Sequence, residues 1–392
     1  MPPTSSRERI MVFYSNSEED PLLGSSVLES VNNWDEGVAE DDGRFTDTLR
    51  QYVRLIKFRY VFIAVCIVVI VIVAGFSMTL GPFNISFAET YEILWSHITG
   101  NAYPDTAKDY IVWETRLPRV IFGVFGGASL AVAGAVMQSI LKNPLADSYT
   151  TGVSSGAGFG ATLAMAAGFT LGGMTNVVIF AFLFSLIPTA VIVLMSKISS
   201  ASPTTMIMAG IGVMYVFSAG TTVLMLWSDP QALSTIYSWQ VGSLSNPNVL
   251  FKNIPIIVVT AIAGIAFMCA MSGKVNVLAT GDESAKALGI DADNLRIILL
   301  LISGLLAAAI VSFVGIVGFV GLVSPHIVRM FIGADNRYLL PASAIFGGML
   351  MIVADQIGRV ALSTPLPVGV VMAFLGGPLF LWLILRRSKD VW

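Results

Sequence analysis

The chain has 392 residues, 55% of them hydrophobic and 12% charged, with a mean hydropathy of +0.78 and a net charge of -3. An ordinary soluble domain carries roughly a quarter charged residues, so composition excludes one as the main body, and without a basic stripe nothing points to nucleic acid. The two cysteines, Cys66 and Cys269, both fall in apolar runs and read as small packing residues rather than a disulfide or metal pair.

Residues 1–59 are polar and acidic, with Glu18, Glu19, Asp20, Asp35, Glu36, Glu40, Asp41 and Asp42. Lacking sustained apolar periodicity, they cannot bury enough surface to offset their ordering entropy, and they are expected as a mostly disordered cytoplasmic tail. No cleavable signal peptide is visible ahead of the first apolar run, which is expected to act as an uncleaved anchor. Runs long enough to cross a hydrocarbon core of about 30 Å as helices then recur. They are Tyr60–Leu80, Arg119–Leu141, Thr150–Phe169, Val177–Ser196, Thr205–Trp227 and Ile254–Met271. After the loop at Gly281 come Leu295–Ile332, Leu339–Asp355 and Leu366–Leu385, the first too long for one ordinary span.

Charge placement resolves that long run. Arg50, Arg54, Lys57 and Arg59 put the N-terminus inside, and Lys142, Lys197, Lys274, Lys286 and Arg296 fall inside in turn. A single crossing by Leu295–Ile332 would leave Arg329, Arg337, Arg386, Arg387 and Lys389 outside, whereas two crossings return them all to the cytoplasm. Gly315, Gly318, Gly321 and Pro325 supply the break. The seventh span then runs from about Arg296 to Val314, and a short eighth ends near Arg329, shielded from lipid. The predicted fold is an all-α integral membrane protein of about ten transmembrane helices within residues 60–387, both termini cytoplasmic, with a cytoplasmic loop over 274–295.

Smaller features fit this plan. Ala232–Leu244 is expected as a short re-entrant or surface helix on the external side, and Trp95, Trp113, Trp227, Trp239 and Trp382 as rings at the membrane interface. The small-residue runs Gly123–Gly134 and Gly152–Gly160 permit close helix approach. Asn143-Pro144-Leu145 and Ser324-Pro325-His326 each follow a Gly/Ala-rich span, a weak echo that points to two inverted-topology repeats.

A transporter must be powered, yet ionisable residues deep inside the spans are almost absent. Asp355 and Arg359 come at a span end, and two histidines, His97 and His326, are too few to point to a metal site or proton wire. No phosphate-binding loop of the G-x-x-x-x-G-K-[ST] type occurs, so no catalytic residue and no cofactor is expected. Energy would then arrive from another subunit through a cytoplasmic contact. Gly281-Asp282-Glu283-Ser284-Ala285-Lys286-Ala287-Leu288-Gly289 suits that contact as a short amphipathic helix closed by glycine. Periodicity alone leaves an ordinary solvated connection equally open.

From Arg116 to Arg387 the sequence resembles the FecCD-type permeases that import iron-siderophores, haem and vitamin B12. The resemblance is carried by Arg116-Leu117-Pro118-Arg119, Gly134-Ala135-Val136-Met137-Gln138, Asn143-Pro144-Leu145-Ala146-Asp147, Gly152-Val153-Ser154-Ser155-Gly156-Ala157, the Gly281 to Gly289 loop, Gly318 through His326, and Leu366-Pro367-Val368-Gly369. It implies a homodimeric permease in the cell membrane, two ATP-binding-cassette ATPase subunits, an extracytoplasmic binding protein and a metal-chelate substrate. By motif, Arg116, Arg119 and Arg359 resemble external arginines that receive carboxylates of the binding protein; interfacial snorkelling is the alternative. Gly281, Asp282, Glu283, Ala285, Leu288 and Gly289 resemble the coupling helix seated on the ATPase. Asn143, Pro144, Leu145, Gly152, Ser154, Ser155 and Gly156 resemble elements beside the translocation path, although tight packing explains the glycines equally well. The expectation is ATP-driven import of an iron-siderophore, with corrinoid or haem as the alternative cargo and an ion-coupled secondary transporter as the rival class.

Overall fold

A computed structural model describes residues 53–81, 83–169, 174–199, 203–362 and 364–385. The expected acidic tail lies, up to residue 52, outside the described residues. The chain divides after Phe58, and the helical packing belongs to the unit Arg59–Trp392.

Every regular element among the described residues is helical. In chain order they are α1 (Val53–Thr79), α2 (Phe87–Thr99), α3 (Thr106–Ile140), α4 (Val153–Ala166), α5 (Thr175–Ser199), α6 (Pro203–Leu226) and α7 (Pro230–Gln240). Next come α8 (Ile254–Ala270), α9 (Ser272–Thr280), α10 (Asp282–Ala287), α11 (Ala292–Val314), α12 (Val320–Ile332), α13 (Asn336–Val360) and α14 (Val368–Leu385). Seven of them, α1, α3, α5, α6, α8, α11 and α13, are long and apolar enough to cross a membrane. The remaining predicted spans fall on shorter helices: α4 has 14 residues, α12 has 13 and α14 has 18. Thirteen residues rise only about 20 Å, short of the bilayer core.

The long apolar run does break. α11 ends at Gly315 (φ 85°), and α12 starts after Phe319 (φ 67°). Gly315 is obligatory there, because a Cβ would fall 2.2 Å from the Trp239 carbonyl oxygen. Pro325 lies inside α12 rather than at the turn, so the reversal rests on Gly315 and Phe319. The first two turns of α12 are buried in protein, and Met330 and Phe331 emerge at its far end, as a broken element in a bilayer requires.

α3 is the axis of the packing. A Cβ on Gly134 would sit 1.9 Å from the Gly321 carbonyl oxygen, joining α3 to α12, and one on Gly127 would sit 2.3 Å from the Gly347 oxygen, joining α3 to α13. Such backbone-to-backbone approach is what holds helices together where apolarity gives no preference for protein over lipid.

Three readings need adjustment. Trp239 is 2% exposed, a core ring of α7 rather than an interfacial one, while Trp95 and Trp227 are 65% and 84% exposed as interfacial rings should be. Trp113 stacks on His97 at 3.9 Å, and the Trp382 side chain lies outside the described residues. α2 is absent from the sequence-based plan, although its signals are present: Ser86 and Glu89 form a reciprocal capping box, and Gly100 closes the helix in the left-handed conformation. Lastly, α3 extends back to Thr106 through a π-helical turn, Ile111–Arg116, placing Arg116 inside the helix.

Candidate functional site

The three arginines picked out by motif converge on one place. Arg119 donates from Nε and Nη2 to both oxygens of Asp355, at 2.6 to 3.1 Å, and from Nη1 to Ser245 Oγ. Arg359, one turn beyond Asp355 on α13, donates to Asp355 Oδ2 from Nε at 2.9 Å and Nη2 at 2.5 Å. It also reaches the carbonyls of Ser77 and Leu80, while Arg116 donates to those of Met78, Thr79 and Phe83. The four carbonyls that end α1, residues 77 to 80, are therefore all satisfied by two guanidiniums. These are the acceptors a helix C-terminus leaves without internal partners, and cations there also oppose the helix dipole.

The knot is buried and unbalanced. Asp355 is 1% exposed, and three guanidiniums against its single carboxylate leave a net charge of +2 within the cluster. A recess of about 370 Å³ opens onto it, lined by Arg116, Arg119, Arg359, Ser245, Phe83 and Pro365 among others. Arg119 is the most open of the three, at 13% side-chain exposure against 4% for Arg359. Asp355 is the organising group; the sequence reading places it with Arg359 at a span end but gives it no role, although their i,i+4 spacing was the available signal.

At the opposite end of α3 lies the Gly281–Gly289 segment. It forms α10, entered at Gly281 (φ 141°) and left at Gly289 (φ 73°). Asp282, half exposed, pairs with the buried Arg296 guanidinium at 2.6 Å and lies 3.7 Å from Lys142 Nζ. Arg296 also donates to the Ile140 carbonyl, so α10 is tied to the last turn of α3 through one side chain. Ala285 is buried beneath, whereas Glu283, Lys286, Leu288 and Gly289 are exposed, Leu288 at 68%. Leu288, the residue that follows α10, thus leaves an apolar side chain exposed beside Glu283 and Lys286.

Between these ends runs the connection from α3 to α4. The Asn143 side chain accepts from Leu145 N, Leu145 is exposed, and Gly152 takes the left-handed conformation (φ 81°) that starts α4. Ser154 and Gly156 are buried and Ser155 is half-buried. A Cβ on Gly156 would fall 2.5 Å from the Phe184 carbonyl oxygen, so that glycine serves close packing of α4 on α5. Asp147, in the same connection, is buried and accepts from the Tyr149 and Thr150 N–H groups. It borders a cavity of about 770 Å³ whose walls are mostly apolar.

Repeated apolar spans, with a broken element buried in protein, mark a multi-pass membrane protein. Comparison with known proteins narrows this. The FecCD transport family model matches residues 66–386, and the chain belongs to that family. It is 35% identical to the hemin transport system permease of Yersinia pestis, covering 83% of this chain and 95% of the relative. It is 38% identical to the cobalamin import system permease of Halobacterium salinarum (74% and 76% covered) and 33% identical to an Fe(3+)-citrate import system permease of Bacillus subtilis (85% and 96% covered). Among solved structures it is similar to an inward-facing ABC transporter assigned to the metal-chelate type, with a TM-score of 0.73, 28% identity, and 83% and 99% of the two chains covered. The protein is thus an ABC-importer-type membrane permease, and its kind transports rather than catalyses.

Proposed function

We propose that this chain is the transmembrane subunit of an importer driven by separate ATP-binding-cassette ATPases, carrying an iron-siderophore-type metal chelate into the cytoplasm by alternating access. The observation that carries the reading is the convergence of Arg116, Arg119 and Arg359 on one recess with surplus positive charge, in a chain whose relatives import haem, iron-citrate and cobalamin. In this scheme an extracytoplasmic binding protein presents carboxylates to the recess, with Arg119 as the main contact and Arg116 and Arg359 holding the outer end of α1. Two copies of the chain form the dimer, two ATPases sit on the α10 surfaces, and Glu283 and Leu288 meet the ATPase while Asp282 anchors the helix to Arg296. The path runs beside Asn143–Leu145 and Gly152–Gly156. α4, α12 and α14 complete ten spans with both termini inside, arranged as inverted repeats.

A corrinoid cargo is the second reading, favoured by the 38% identity to a cobalamin permease. Docking is tested by Arg119→Glu, with binding-protein affinity measured at low salt, where surface electrostatics are least screened. Loss of affinity that grows as salt falls supports the assignment; unchanged affinity removes it.

A further inference from the structure

The cavity of about 770 Å³ is walled by Val241, Ile316, Phe319, Leu322, Val370 and Phe374, yet Asp147, Thr150 and Gln240 also face it. Asp147 is 4% exposed and stands level with the apolar body of α3: its Cβ lies 3.7 Å from the position a Cβ on Gly321 would take, beside Gly134. An ionisable side chain at such depth is costly and needs a reason. Half of the reason is local. Oδ1 accepts from Tyr149 N at 3.0 Å and Thr150 N at 2.9 Å, an Asx turn that an asparagine would make equally well. The Thr150 hydroxyl bonds the same carboxyl, and none of these contacts explains why the residue is acidic.

We propose that Asp147, with Thr150 and Gln240, forms a polar subsite in this apolar cavity, where the carboxylate holds the hydrogen-bond donors of a passing solute and disfavours bare carboxylates and oxyanions. The solute class it suits is a neutral or cationic chelate bearing hydroxyl, amide or metal-bound water. The subsite rests on the proposed solute path beside the α3–α4 connection.

The test needs no identified cargo. A reporter cysteine is placed at Ala373, which lines the same cavity, in a Cys66→Ala, Cys269→Ala background, and the protein is reconstituted in liposomes. Its modification rates by a cationic methanethiosulfonate (ethyltrimethylammonium) and an anionic one (ethylsulfonate) are measured at pH 8 and again at pH 9.5, so that a carboxyl raised by burial is also read in its charged form. With Asp147 present the cationic reagent reacts faster, and Asp147→Asn lowers the cation-to-anion rate ratio by roughly five- to tenfold. Gln240→Glu, which adds a second carboxylate to the same cavity, raises the ratio and serves if the first variant folds poorly. Reaction of both reagents with a ratio unmoved by either substitution overturns the subsite and leaves the path intact. No reaction with either reagent overturns both the subsite and the placement of the path.

Discussion

Replacing Asp355 by alanine removes the one carboxylate that joins α3 to α13 and leaves two guanidiniums to their remaining partners. Arg359 keeps the Ser77 and Leu80 carbonyls, but Arg119 keeps only Ser245. Because Asp355 is 1% exposed and Arg119 13%, solvent offers little compensation. Breaking a buried pair from one side costs about 3–5 kcal/mol. At about 2 °C per kcal/mol for a chain of this size, the melting temperature should fall by about 6–10 °C. Asp355→Asn keeps one acceptor oxygen, which at the Oδ2 position can still take Arg359 and Arg119 Nε, and should lose less than the alanine variant. Thermal unfolding in detergent, followed with a thiol-reactive dye that reads exposure of Cys66 and Cys269, gives the shift directly. A melting temperature within about 2 °C of the parent for Asp355→Ala would show that the cluster does not hold these helix ends, and burial of the pair would carry no stability.

Gly134→Ala should sharply reduce the monodisperse fraction in size-exclusion chromatography, since its Cβ meets the Gly321 backbone at 1.9 Å, while Gly212→Ala, with nothing within 4 Å, should be tolerated. Glu283→Arg combined with Leu288→Asp should leave ATP hydrolysis by the assembled complex running while uptake stops; normal uptake would count against α10 as the coupling element. Glu89 sits at about pKa 2, held there first by Lys108 at 2.5 Å and then by Ser86, against an ordinary value of 4.5. A lowered carboxyl contributes stability above its ordinary value and loses it as pH falls through the folded one. The packing of α2, read as the fluorescence difference between the parent and Trp95→Phe, should therefore hold from neutral pH to about 4.5 and weaken only between there and about 2; weakening already near pH 6 would contradict the assignment.

Much of the fold was legible because lipid imposes simple rules. Apolar length marked the long helices, and the loop charges together with Gly315 marked the reversal before α12. What escaped has physical causes as well. α2 is amphipathic and only 13 residues long, so a search for continuous apolar length steps over it, and only its capping box announced it. Trp239 looked interfacial because it ends an apolar stretch, but α7 packs inward, and one ring's side cannot be read from chain position. Three arginines were recognisable by motif; that Asp355 gathers Arg119 and Arg359 depends on α3 and α13 lying side by side, a contact between residues 236 apart. Asp147 was passed over because it lies in a connection, where an acidic residue looks solvated, whereas in the fold it is buried beside Gly321 of α12.

The central claim is import powered by a partner ATPase. Its most direct test is uptake of labelled iron-siderophore, cobalamin and haem into proteoliposomes carrying this chain with its ATPase, supplied with its binding protein. Uptake of at least one of these is expected, requiring ATP on the ATPase side of the membrane and surviving collapse of proton and sodium gradients. Uptake that persists without ATP and vanishes with an ion gradient would contradict the claim.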